Sequence, residues 1–273
     1  MLKRIITALI LLPVILYLLV FVENKNIICA FFGVLSCLCL FEFTRMFYVP
    51  LMEKFKADRG RFSTPYSILL FNVLVYFFAT QQQQVPLVST FLLFSFCYIL
   101  LNFSVKHSYQ AVLAHTIFSL LALSYCCLPF VLMWEVYGKM DHAKLFIMFI
   151  FIVSASDTGA YFAGSFFGKR KMAPLISPGK TWEGLCGGFA LSILVALFYD
   201  AYFGIFSSPY LAICCAVGTV LMAVVGDLVE SSFKRFSQVK DSGNLLPGHG
   251  GALDRADSII FAIPFFHFMT SFL

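Results

Sequence analysis

Charge is scarce in this chain. Lysine, arginine, aspartate and glutamate make up only 12% of its 273 residues, against 60% hydrophobic and 18% aromatic residues. With a mean hydropathy of +0.89, that scarcity excludes an ordinary soluble domain, which carries about 25% charged residues. The chain contains no G-x-x-x-x-G-K-[ST] loop and no G-x-S-x-G elbow. P-loop NTPase and serine hydrolase chemistry therefore have nothing to stand on. The nine cysteines (29, 37, 39, 97, 126, 127, 186, 214 and 215) all lie within or at the edge of apolar segments, with no spacing that resembles a zinc site. They read as small buried hydrophobes. No internal repeat is visible, and no low-complexity tract beyond the glutamines at 81–84.

What is present is a series of apolar runs, each of a length that spans a bilayer as a helix. Nine are predicted, at about 5–22, 27–47, 65–80, 86–103, 111–134, 145–166, 184–206, 210–228 and 253–273. The first follows Lys3 and Arg4 like a signal peptide, but no small-residue cleavage site follows it, so it is expected to be retained. With the N-terminus inside and nine crossings, 16 of the 19 bases fall on the cytoplasmic side; only Lys25, Lys139 and Lys144 fall outside. That skew is what the positive-inside rule requires. The expected fold class is an all-α polytopic membrane protein, N-terminus cytoplasmic and C-terminus on the opposite side. The net charge of +5 is mostly this topology signal and calls for no nucleic acid, although cytoplasmic bases also suit anionic headgroups.

The chain changes character near residue 144, so we expect a scaffold half over 1–144 and a chemical half over 145–273 within one membrane domain. Polar blocks enter at 154–161, 168–184 and 226–231, and the last runs into 231–257, which packs four bases, three acids, a histidine and four glycines into 27 positions. The two most polar loops, 167–183 and 229–252, both face the cytoplasm in this topology. Asp227 and Glu230 are three apart, as are Asp254 and Asp257, so each pair shares a helix face. Two acidic faces at one membrane depth repel unless a cation or a base lies between them, and such oxygen-rich sites suit Mg²⁺. The plainer alternative has Asp254 and Asp257 capping a helix, with Asp227 and Glu230 paired to Lys234 and Arg235. Gly179 with Lys180, and P-G-H-G-G at 247–251, permit close approach of backbone to a ligand, and the helix start at 252–254 offers N–H groups to phosphate. Lys180, Lys234, Arg235, Lys240 and Arg255 carry enough charge to neutralise a triphosphate; otherwise they snorkel to headgroups. His249 sits between glycines, placed to touch phosphate, to assist proton transfer or to hold a turn.

The run K-R-F-S-Q-V-K-D-S-G-N-L-L-P-G-H-G-G-A-L-D-R-A-D at 234–257 closely resembles the signature of the phosphatidate cytidylyltransferases, or CDP-diacylglycerol synthases. S-D-T-G-A-Y at 156–161, I-S-P-G-K-T-W-E-G at 176–184 and G-D-L-V-E-S at 226–231 resemble that family's other stretches in the same order, and length and polytopic character fit its bacterial members. Ala252 and Ala256 stand where a bulkier aliphatic residue or threonine is expected; no charged or glycine position is lost. The resemblance implies transfer of CMP from CTP to phosphatidic acid with Mg²⁺, leaving room for a second, monovalent cation. It implies that Asp227 and Asp254 bind metal, with Asp257 as a further ligand and Glu230 and Asp157 as outer or orienting groups. Lys180, Lys234, Arg235, Lys240 and Arg255 would then bind phosphates, and Ser177, His249, Gly250 and Gly251 would shape the nucleotide site. A homodimer and a bacterial inner-membrane location, with the site facing the cytoplasm, are implied as well. The rivals are a CTP-dependent lipid kinase, a cytidylyltransferase for another lipid phosphate and, from a different class, an ion-coupled transporter. A transporter should carry its polar groups near the midplane and show paired repeats.

Overall fold

The computed structural model describes residues 17, 21–22, 24–54, 73, 109–140, 143–243, 245 and 250–273. The spans expected at 5–22, 65–80 and 86–103 lie almost wholly outside these residues. Among the described residues five helices are long and apolar enough to cross a membrane: Lys25–Tyr48, Thr116–Gly138, Lys144–Phe167, Trp182–Phe203 and Pro209–Phe236. The chain divides into two compact units, one made of Met1–Trp134 with Phe236–Arg255 and the other of Glu135–Arg235 with Ala256–Leu273.

In the first unit, α1 (Lys25–Phe43) starts at Asn24, whose side chain caps the Asn26 N–H. Its ladder widens to a π turn over Thr44–Tyr48 and continues as α2 (Val49–Lys54). The widening comes just ahead of Pro50, whose ring would strike the carbonyl four residues back in a regular helix. The predicted span at 111–134 is two helices, α3 (Tyr109–Cys126) and α4 (Leu128–Gly138), with the break at Cys127. Pro129 brings the same restriction to the first turn of α4, where it is tolerated. The core is aromatic: Phe43 stacks on Phe47 and Phe118 at 5.4 and 5.8 Å, and Phe47 meets Phe236 at 5.2 Å. A polar link is set into it, from Ser36 Oγ to the Cys126 carbonyl at 2.6 Å.

In the second unit, α5 (Lys144–Phe167) and α6 (Trp182–Phe203) lie backbone to backbone. A Cβ on Gly159 would run into the Gly187 carbonyl, and one on Gly187 into Ala163 and the Gly159 carbonyl. Small residues let membrane helices approach this closely, and polar side chains then bond across the seam; Ser192 Oγ reaches the Ile152 carbonyl at 2.9 Å and Tyr199 Oη the Lys144 carbonyl at 3.0 Å. Gly187→Val should therefore destabilise the protein by about 3 kcal/mol, lowering its melting midpoint in detergent by roughly 10 °C. Gly138→Ala, which meets open space, should leave it within about 0.5 kcal/mol of wild type.

Two expected loops are more ordered than their polarity suggested. The segment 167–183 carries an antiparallel hairpin, β1 (Lys171–Ala173) with β2 (Ser177–Thr181), paired as Lys171 with Thr181 and Ala173 with Ser177. This is an addition to the all-α expectation. The loop expected at 229–252 is helical for its first eight residues, because α7 runs unbroken over Pro209–Phe236. No glycine or proline interrupts it after Gly226, and Glu230 pairs with Lys234 one turn on. At about 1.5 Å per residue its 28 residues reach about 42 Å, beyond a hydrocarbon core of about 30 Å. The last helix, α8 (Leu253–Met269), has 17 residues and a single 3₁₀ turn after it, Thr270–Phe272. Four of the eight described cysteines are buried (39, 126, 127 and 215), whereas Cys186 and Cys214 lie on exposed faces, against the expectation that all are buried; none of the eight is in a disulfide.

Candidate active site

The hairpin is the device that places Lys180. Its return strand feeds straight into α6, where Thr181 is the N-cap and accepts the Gly184 N–H at 3.1 Å. Glu183, in the first turn, reaches back and accepts the N–H groups of Lys169 and Arg170 at 3.1 and 3.2 Å. Both ends of the hairpin are thereby tied to one helix start, where carboxylates are favoured by the helix dipole. Lys180 Nζ lands 2.7 Å from Asp227 Oδ2 and 3.3 Å from the Val224 carbonyl, both on α7. Asp227 Oδ1 also accepts the Ser231 hydroxyl at 3.2 Å.

This ion pair borders an open cavity of about 200 Å³ in the second unit, lined among others by Asp157, Tyr161, Gly179, Thr181 and Ser258. Asp257 faces Asp227, with Lys234 and Asp157 also within electrostatic reach, and it accepts the Ser258 N–H at 2.6 Å. Two predicted acids, Asp157 and Asp227, and one predicted base, Lys180, thus line one cavity, and Asp257 interacts electrostatically with both of those acids and with Lys234. Glu230 is fully buried and paired with Lys234. Arg235, at the end of α7, donates from Nε to the Ile176 carbonyl of the hairpin at 3.3 Å, and Ser177 begins β2 half-buried. Among the described residues no three carboxylate, thiol or imidazole groups are disposed to hold a metal unaided. The pair Asp227 and Asp257 has the hard oxygens that Mg²⁺ uses, in the number it uses when waters and substrate phosphates complete its shell.

The remaining predicted residues belong to the first unit. Asp254 accepts the Ser242 N–H at 2.9 Å and the Gly251 N–H at 2.8 Å. Gly250 has φ +83°, and a Cβ there would press on the Asp254 carboxylate, so glycine is needed for backbone and space alike. Lys240 and Arg255 are exposed. His249 lies outside the described residues.

One charged residue went unread in the sequence. Glu42, near the end of α1, is 6% exposed, and its Oε2 accepts the Leu253 N–H at 2.9 Å and the Ser242 hydroxyl at 3.3 Å. The helix start at 252–254 was expected to offer its N–H groups to phosphate; the Leu253 N–H is instead committed to Glu42. The available signal was a lone acid in an otherwise uncharged membrane span, which is costly unless it has a task.

Curated relatives resemble the chain over part of its length. A Haemophilus influenzae protein named phosphatidate cytidylyltransferase is 46% identical over 141 residues, covering 48% of this chain and 48% of its own length. Proteins of the same name from Staphylococcus epidermidis and Pseudomonas aeruginosa are 38% identical over 173 residues and 49% over 123. The chain spans 65% and 45% of their respective lengths. The pattern of the Cytidylyltransferase family, by contrast, matches residues 2–273. A match over essentially every residue shows that the chain belongs to the cytidylyltransferase family.

Proposed function

We propose that the chain transfers CMP from CTP to phosphatidic acid, releasing pyrophosphate and leaving CDP-diacylglycerol in the membrane. The observation that carries this reading is the Lys180–Asp227 pair, 2.7 Å apart, beside Asp257 at a cavity in a unit rich in membrane-length helices. The names of the curated relatives support the choice of substrates. In the reaction an oxygen of the lipid phosphate attacks the α-phosphorus of CTP, and the bond from that phosphorus to the bridging oxygen breaks in line. A phosphate monoester is already ionised at neutral pH, so no strong general base is needed. The obstacle is electrostatic, because two anions must meet and a third must leave. Lys180 supplies fixed positive charge at the cavity and Lys234 adds to it through Asp257, while Asp227 and Glu230 hold those ammonium groups in place when no phosphate is there. Asp227 and Asp257 are the carboxylates that would hold Mg²⁺, which when bound neutralises charge on the triphosphate and the leaving pyrophosphate, and Asp254 is the further carboxylate that would take a cation in the reaction. The lipid arrives sideways from the bilayer and CTP from the cytoplasm, in a homodimer seated in the inner membrane.

The test is pyrophosphate release by detergent-purified protein given CTP, dioleoyl phosphatidic acid and Mg²⁺. Release that requires both substrates, is not supported by ATP and stops with EDTA is expected. Folded protein that releases none under these conditions overturns the choice of substrates.

A further inference from the structure

Glu42 is chemically out of place in α1. Every other residue from Asn26 to Thr44 is uncharged, and a carboxylate at such a site is expensive unless it is well paired. Its partners come from about 200 residues further along the chain: the Ser242 hydroxyl at 3.3 Å and the Leu253 N–H at 2.9 Å. Two glycines make room for it. A Cβ on Gly243 would meet Glu42 atoms first, and one on Gly251 would meet both Glu42 and the Ser242 hydroxyl. Ser242 is the junction: its side chain donates to Glu42 and its backbone N–H donates to Asp254 at 2.9 Å. The Leu253 N–H opens α8, so a carboxylate there also meets the positive end of the helix.

We propose that Glu42 is a positioning residue for the transfer reaction, locking Ser242 and Gly243 to Gly251 and Leu253 at the start of α8 and, through Ser242, setting the direction of the Asp254 carboxylate. This rests on the reaction proposed above for the reason that Asp254 must be aimed; the locking itself does not depend on it. Glu42 touches no reacting atom in this role. Its removal leaves a buried N–H and a hydroxyl without an acceptor, and the glycine contacts become a void.

The experiment compares Glu42→Ala, Glu42→Gln and wild type in detergent, first by hydrogen–deuterium exchange without substrates. Glu42→Ala is expected to speed exchange in peptides covering Ser242–Gly243 and Gly250–Asp254 at least about tenfold, with peptides of α6 unchanged. Glu42→Gln, which keeps an acceptor oxygen and the same shape, should restore most of that protection. In the activity assay Glu42→Ala should lose at least about tenfold in kcat and need more Mg²⁺ for half-maximal rate, while Glu42→Gln stays within about threefold of wild type. A merely structural residue would lower the yield of active protein without moving the Mg²⁺ requirement. If Glu42→Ala fails to fold, Gly243→Ala serves in its place, since its methyl group presses on the Glu42 carboxylate; faster exchange in the same peptides is expected. Wild-type exchange and kcat in Glu42→Ala, or in Gly243→Ala where that is used, would overturn the proposal. Should wild type itself fail to transfer CMP, the exchange results still decide whether Glu42 locks the loop, so the two readings fail separately.

Discussion

Asp227→Asn is expected to lower turnover at least about a thousandfold while the protein inserts, purifies and melts like wild type. The substitution keeps the shape of the side chain and the acceptor for the Ser231 hydroxyl, seen at 3.2 Å. It removes the charge that faces Lys180 across 2.7 Å and that, with Asp257, makes the hard-oxygen pair at the cavity. Stability should change little, because the two side chains are 21% and 31% exposed and an ion pair so screened contributes about 1 kcal/mol or less. Steady-state kinetics with a melting curve on the same sample separates the two effects. Turnover within tenfold of wild type would remove Asp227 from the site.

Lys180→Ala should reduce kcat/KM for CTP by about 10² to 10³, the usual cost of removing one well-placed charge donor from a phosphoryl-transfer site. The lysine is held by its strand rather than by chance: β2 ends at the Thr181 cap, and the ammonium bridges to Asp227 and the Val224 carbonyl. Lys180→Arg should recover less than about tenfold of the loss, because a planar fork does not replace a compact ammonium at a point contact. The double variant Lys180→Ala with Asp227→Asn should be much less damaged than the sum of the two, since each single change leaves the other charge without its counterpart. Strict additivity in kcat/KM would mean that the pair does not act as a unit.

Where span length and flanking charge decided the outcome, the sequence could be read closely. The runs at 145–166 and 184–206 became Lys144–Phe167 and Trp182–Phe203, with Gly168 and Gly204 at the two C-caps. The polar blocks could be read as a site because acids and bases beside lipid are expensive, and Asp157, Lys180, Asp227 and Asp257 do share one neighbourhood. Polarity misled at 229–236, where charge was taken for loop although Glu230 and Lys234 stabilise helix. It misled again at Lys171–Thr181, where a hairpin needs only a few alternating residues and leaves little periodic trace. Glu42 escaped because its partners lie some 200 residues away, and no local pattern encodes a contact of that range. The Leu253 N–H was expected to meet phosphate on the general rule for helix starts; the carboxylate that claims it comes from another helix.

The most direct test follows the label. Purified protein is given phosphatidic acid, Mg²⁺ and CTP labelled at either the α- or the γ-phosphate, and lipid is extracted from each reaction. The α-label is expected to move into the lipid phase as CDP-diacylglycerol while the γ-label stays in water as pyrophosphate. Gamma-label in the lipid phase, with CDP left in water, would contradict it and make the chain a CTP-dependent lipid kinase.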